Sequence, residues 1–161
     1  MKRYVWLLIF FFTFAQCTVT HSEEINLAGI PPEVYKTIKN KAIREWPNDW
    51  NMQKFVIKQQ IEGYNYLKSF RNSQVPSDIF AIIKQKAASE WPDDWNMQRF
   101  VIKQQIEGYN FVKSYRNSQV PSDILSIIKQ KAASEWANDW NMQKFVIRQQ
   151  VGAYLELSNS P

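Results

Sequence analysis

The chain has 161 residues, 45% hydrophobic and 15% aromatic, enough to bury a core and unlike the composition of a disordered chain. Its formal charge is +5; removing Lys2 and Arg3, which lie in a segment read below as cleavable, from 20 basic residues leaves 18 against 15 acidic, a balance of +3. The bases are interspersed with acids rather than gathered into one run, which argues against a nucleic-acid partner.

The only cysteine is Cys17 and the only histidine is His21. A disulfide within one chain, a Cys/His metal cage, and a Ser–His–Asp or Cys–His catalytic set beyond residue 21 are therefore ruled out. No cofactor is expected. With only 4 glycines and long stretches between prolines, the composition favours helices over a many-stranded sandwich.

The first element is an address. Lys2 and Arg3 precede a twelve-residue apolar run, Tyr4 to Ala15. Spanning a bilayer takes about 20 apolar residues, whereas the core of a signal peptide takes about 7–15, so residues 1–17 are expected to direct export. Ala15 and Cys17 place small residues where signal peptidase needs them, with cleavage before Thr18. Phe14-Ala15-Gln16-Cys17 is also similar to a bacterial lipoprotein box, in which Cys17 would be lipidated and tether the protein to a membrane. Gln16 and Phe14 depart from that box. Residues 18–30 then form a polar leader.

From Pro31 onward the sequence repeats itself every 45 residues. Trp46, Trp91 and Trp136 keep that spacing, as do Trp50, Trp95 and Trp140. Three copies follow, at 31–75, 76–120 and 121–161. In the middle copy, Pro76-Ser77-Asp78 opens a helix, with proline at the first position, Ser77 available to cap and an acid in the first turn. Ile79, Ile82, Ile83, Ala87 and Trp91 recur at helical spacing. Pro92 ends the helix, because the residue before proline is pushed out of the helical region. Pro92-Asp93-Asp94 is read as the start of a second, longer helix to about Arg116; copy three has Ala137 in place of that proline. Met97, Val101, Gln104, Gly108, Phe111 and Tyr115 form one stripe, and Trp95, Ile102, Ile106 and Tyr109 another. Each copy is thus expected to be an αα-hairpin, and the fold class all-α: three tandem hairpins after a signal peptide. A hairpin this small buries little alone, so neighbours are expected to stack. Lys36, Thr37 and Arg44 in copy one, and Leu155-Glu156-Leu157-Ser158 in copy three, read as polar adaptations of terminal units.

Several repeated residues are candidates for function. Each tryptophan pair either pins its own hairpin or offers an aromatic platform to a sugar or peptide. Asp49, Asp94 and Asp139 suit helix caps, and a hydrolase would need them to meet Glu45, Glu90 and Glu135 across a cleft. Gln59, Gln104 and Gln149, each first in a glutamine pair, stand mid-helix, with Gln104 four residues before Gly108. A buried amide there must find bonding partners, across the hairpin, between units or in a ligand. Gly63 and Gly108 permit close approach of another backbone, and Ala153 in copy three points to a need for a small residue. Lys39, Lys84 and Lys129, with Lys41, Lys86 and Lys131, read as a solvated face or as a surface for an anionic partner.

The Trp-Pro-Asp/Asn-Asp-Trp-Asn-Met-Gln segment resembles a tryptophan–proline–acid–acid–aromatic–x–Met–Gln helical repeat motif of uncharacterised exported bacterial proteins. The resemblance runs from the first tryptophan to the glutamine pair of each copy; it implies a bacterial origin and no activity. Taken together, the sequence points to an exported protein of the bacterial envelope or outside the cell that binds a protein or glycan without catalysis. A carboxylate hydrolase at the tryptophan junctions and a membrane-tethered spacer are the alternatives.

Overall fold

The computed structural model describes residues 25–160, so the expected signal peptide, Cys17 and most of the polar leader lie outside the described residues. Six helices follow: α1 (Pro32–Glu45), α2 (Trp50–Ser69), α3 (Ser77–Glu90), α4 (Trp95–Ser114), α5 (Ser122–Glu135) and α6 (Trp140–Ser158). There is no strand among the described residues. The short helices α1, α3 and α5 pack on α2, α4 and α6 respectively, while α4 lies against both α2 and α6. The three long helices therefore form one continuous layer, and the short helices stand on it.

Each short helix opens on an extended proline. Pro31, Pro76 and Pro121 have ψ of 142, 145 and 144° and occupy the N-cap itself, with no side-chain cap bond. Ser77 and Ser122 are the first helical residues rather than caps, so the sequence reading is one residue out at this point. Trp46, Trp91 and Trp136 end these helices at φ near −130°. The third does so before Ala137 instead of proline, so the turn does not depend on the pyrrolidine ring.

The junction differs from the expectation that Pro92 and Asp93 begin the second helix. Asn48, Asp93 and Asn138 stand outside it with φ of 63, 59 and 61°. Asn and Asp tolerate this left-handed region better than other side chains do. Asp49, Asp94 and Asp139 then cap the long helices, each accepting from the backbone N–H three residues on, at Met52, Met97 and Met142. Gln53, Gln98 and Gln143 reach back to the carbonyls of Trp46, Trp91 and Trp136 at 2.8, 2.8 and 2.9 Å. These polar side chains of the junction motif thus close backbone groups that the helix break would leave open.

The core is built from isoleucine and alanine at helical spacing. Ile38, Ala42, Ile83, Ala87, Ala132 and Ile147 are wholly buried. Three clusters alternate along the layer, and the first two borrow from the copy that follows. Trp95 packs into the cluster around Ile38, Ala42, Ile57 and Ile61, and Trp140 belongs to the cluster around Ile83, Ala87 and Ile102.

Candidate functional site

The residues marked out by the sequence fall into two groups: those joining successive copies, and those facing solvent. The joints occur twice. At the first, Gln60 of α2 is buried; its amide Nε2 donates to Asp94 Oδ1 at 2.7 Å, and its Oε1 accepts from the Asn96 N–H at 3.3 Å. At the second, Gln105 of α4 donates to Asp139 Oδ1 at 2.8 Å and accepts from the Trp140 N–H at 2.8 Å. One amide thus bonds both the cap and the open N–H groups of the next long helix. In copies one and two the buried, joint-making glutamine is therefore the second of the pair, not Gln59 or Gln104 as the stripe suggested. Gln59 and Gln104 are half-buried and Gln149 is exposed.

The second carboxylate oxygen of each cap meets a lysine. Lys41 Nζ lies 2.5 Å from Asp94 Oδ2, and Lys86 Nζ lies 3.2 Å from Asp139 Oδ2. These lysines, read from sequence as a solvated face, belong to the joint. Burial alone would raise the Asp94 carboxyl, but the bonds from Lys41, Gln60 and the Met97 N–H outweigh it and hold its pKa below the usual value. Asp139 is likewise raised by burial and brought lower overall by Gln105, the Met142 N–H and Lys86. Burial depresses Lys86, yet bonds to Glu90 and Asp139 leave it above the ordinary lysine range. Lys129 is placed differently, with its ammonium capping the end of α4 through the carbonyls of Val112 and Tyr115 at 2.8 and 3.0 Å. Burial lowers its pKa, and Arg116 lowers it further.

Shape completes the joint. A Cβ on Gly63 would lie 2.6 Å from Trp95 C and Asn96 N; on Gly108 it would lie 2.5 Å from Trp140 C and O. The helices cross there with room for a hydrogen only. Tyr64 and Tyr109 then meet Trp95 and Trp140 edge-on, with centroids 6.0 Å apart in both cases. Glu62 faces Arg99 and Glu107 faces Lys144 at the rim, at 3.9 and 2.5 Å. Lys103 lies over Tyr66 and Arg148 over Phe111. The second tryptophan of copies two and three is thus a plug into the preceding copy. It does not pin its own hairpin. Trp140, only 7% exposed, is unavailable as a platform, whereas Trp95 is half-buried and lines a cleft of about 360 Å³ with Tyr64, Lys84 and Gln98.

The remaining aromatic residues of the repeated frame face outward. Trp46, Trp91 and Trp136 are 40, 39 and 40% exposed, and Phe55, Phe100 and Phe145 are 54, 54 and 55% exposed. The sequence reading missed the phenylalanines, although their 45-residue spacing and their place between buried helical positions could have revealed them. A shallow cleft of about 210 Å³ joins Phe100 to Gln104, Lys86, Asp139 and Asn141. Asp94 and Asp139 are committed to caps and ion pairs, and Glu90 and Glu135 face Lys86 and Lys131. For Asp94 and Asp139 this pairing favours the ionised form and opposes proton donation. Among the described residues no group of three or more His, Cys, Asp or Glu could hold a metal ion, and no helix is long and apolar enough to cross a membrane.

Fold and joints together define an all-helical protein whose long helices are locked side by side by buried amides, ion pairs and tryptophan plugs. Comparison with protein-family models, curated proteins and solved structures finds no match.

Proposed function

We propose that the chain is an exported array of three tandem helical hairpins that binds a protein or glycan partner in the bacterial envelope or outside the cell, without chemistry of its own. The observation that carries this reading is the threefold exposure of the same large aromatics. Trp46, Trp91 and Trp136, with Phe55, Phe100 and Phe145, keep nearly constant exposure from copy to copy, while Ile57, Ile102 and Ile147, two residues beyond each phenylalanine, are buried. Packing does not require an exposed phenylalanine at each of three equivalent positions, and large apolar side chains left exposed at the same place in every copy suit a binding role. Rings with polar neighbours such as Gln104 suit both the apolar faces of sugars and the side chains of a protein. Cys17, if lipidated, would hold the array at a membrane without a spanning helix.

The test is capture from envelope extract by the mature protein, compared with a Phe55→Ser/Phe100→Ser/Phe145→Ser variant whose melt by circular dichroism is unchanged. The expected result is one species enriched by the parent and lost with the variant; prior protease treatment of the extract removes a protein partner and spares a glycan. Equal capture by both proteins would sink the proposal. Mass spectrometry of the mature N-terminus separates a lipidated Cys17 from a free Thr18.

A further inference from the structure

Both internal joints are made of the same parts, and copy one presents the receiving half with nothing from another copy against it. Asp49, Trp50 and Lys54 occupy the positions of Asp94, Trp95 and Arg99, and all three are exposed. Trp50 is 66% exposed, whereas Trp140 at the second joint is 7% exposed. A cleft of about 420 Å³ opens beside it, lined by Ile25, Ile43, Trp50 and Ile57. Ile43 and Leu27 are also more than 40% exposed, although Lys36 and Arg44 of the same copy are exposed polar residues.

The last copy carries the inserting half in altered form. Lys131, Gln150 and Tyr154 stand where Lys86, Gln105 and Tyr109 make the second joint. Between them, however, Glu62-Gly63 and Glu107-Gly108 become Gly152-Ala153. The alanine methyl falls where a Cβ at Gly108 would come within 2.5 Å of the next helix's backbone, and the rim carboxylate is gone. Both changes oppose docking of this end onto another copy of the chain, as expected where open head-to-tail growth would produce filaments.

We propose that the outer face of copy one, centred on Asp49, Trp50 and Lys54, is a docking site for a helical hairpin of the same construction carried by a partner protein. Its long helix reads Gln-x-Glu-Gly-Tyr, and its short helix supplies a lysine. The charges are complementary: the partner's lysine meets Asp49 and its glutamate meets Lys54, as Lys41 meets Asp94 and Glu62 meets Arg99. The partner's glutamine bonds the Asp49 cap and the first N–H groups of α2, and its tyrosine takes the edge of Trp50. Gly152 and Ala153 keep the chain's own end off this face.

The protein itself supplies the probe. A Gly152→Glu/Ala153→Gly chain that also carries Trp50→Ala has a restored inserting end and a disabled receiving face. Mixed with the parent protein, it is expected to give a one-to-one complex by sedimentation velocity, while the parent mixed with Trp50→Ala alone stays monomeric. Circular dichroism of the separate chains checks that each is folded. The Gly152→Glu/Ala153→Gly chain with Trp50 intact should self-associate into a concentration-dependent series. Absence of both the complex and the series at about 1 mM protein, where even a millimolar Kd would register, overturns the proposal. So does a complex that forms equally well without the Gly152 and Ala153 changes.

Discussion

Gly63 and Gly108 are in helix interiors, where glycine ordinarily costs about 1 kcal/mol relative to alanine. They persist because the first turn of the next long helix crosses directly over them. Gly63→Ala or Gly108→Ala gains helix propensity and loses more to overpacking, typically about 1–3 kcal/mol, since the obstructing atoms are backbone. Gly152 is the internal control. It is also within a helix, but a Cβ there meets nothing within 4 Å. Gly152→Ala should therefore stabilise by about 0.5–1 kcal/mol. Urea titrations of the three variants check the pair of signs; a gain at Gly108 would mean that the crossing of α4 and α6 is looser than described.

At the scale of the element, each long helix starts at a capping aspartate, and in α4 and α6 that aspartate has a second role. Asp94 caps α4 and at the same time receives Gln60 and Lys41 from the preceding copy, so the start of one helix depends on the placement of another. This coupling has a pH signature. The folded carboxyls of Asp94 and Asp139 have pKa values below their ordinary one, so their contribution to stability is complete above about pH 4 and is lost as pH falls through the lower folded values. An Asp94→Asn/Asp139→Asn variant should be less stable near neutral pH and should show a flatter loss of stability below about pH 4 than the parent. Denaturation midpoints measured across acid pH decide it: an unchanged slope would remove these carboxylates from the joint. The three left-handed residues Asn48, Asp93 and Asn138 belong to the same scale. In copies two and three they turn the chain sharply enough for the second tryptophan to leave its own hairpin and reach the previous one.

Across the whole molecule, stability resides at the joints as much as within the hairpins. Trp140 is at once the start of α6 and part of the cluster around Ile83 and Ile102. Trp140→Ala should cost about 3–5 kcal/mol, as truncation of a buried aromatic does. Trp50→Ala removes the same side chain from an exposed site and should change stability by only about 0.5 kcal/mol. Chemical denaturation of the two variants provides the comparison, and equal losses would show that Trp50 has a structural load of its own.

Much of this was legible beforehand. The 45-residue period, the helix pairs, the breaks at Trp46, Trp91 and Trp136 and the capping aspartates follow from local rules: capping, left-handed tolerance, proline sterics and apolar spacing act over a few residues and are written in the letters. Which glutamine of a pair is buried, which lysine is bonded and which hairpin a tryptophan serves could not be read this way. Gln104 and Gln105 differ by about 100° around a helix, and either could face inward until a neighbour is placed. Identical copies also carry identical residues, so periodicity alone cannot say whether Trp95 packs within its own copy or against the one before. Tertiary structure decided that, because burial and amide bonding depend on the crossing of two helices remote in sequence. The same crossing separates Trp50, left facing solvent, from Trp140, which is enclosed.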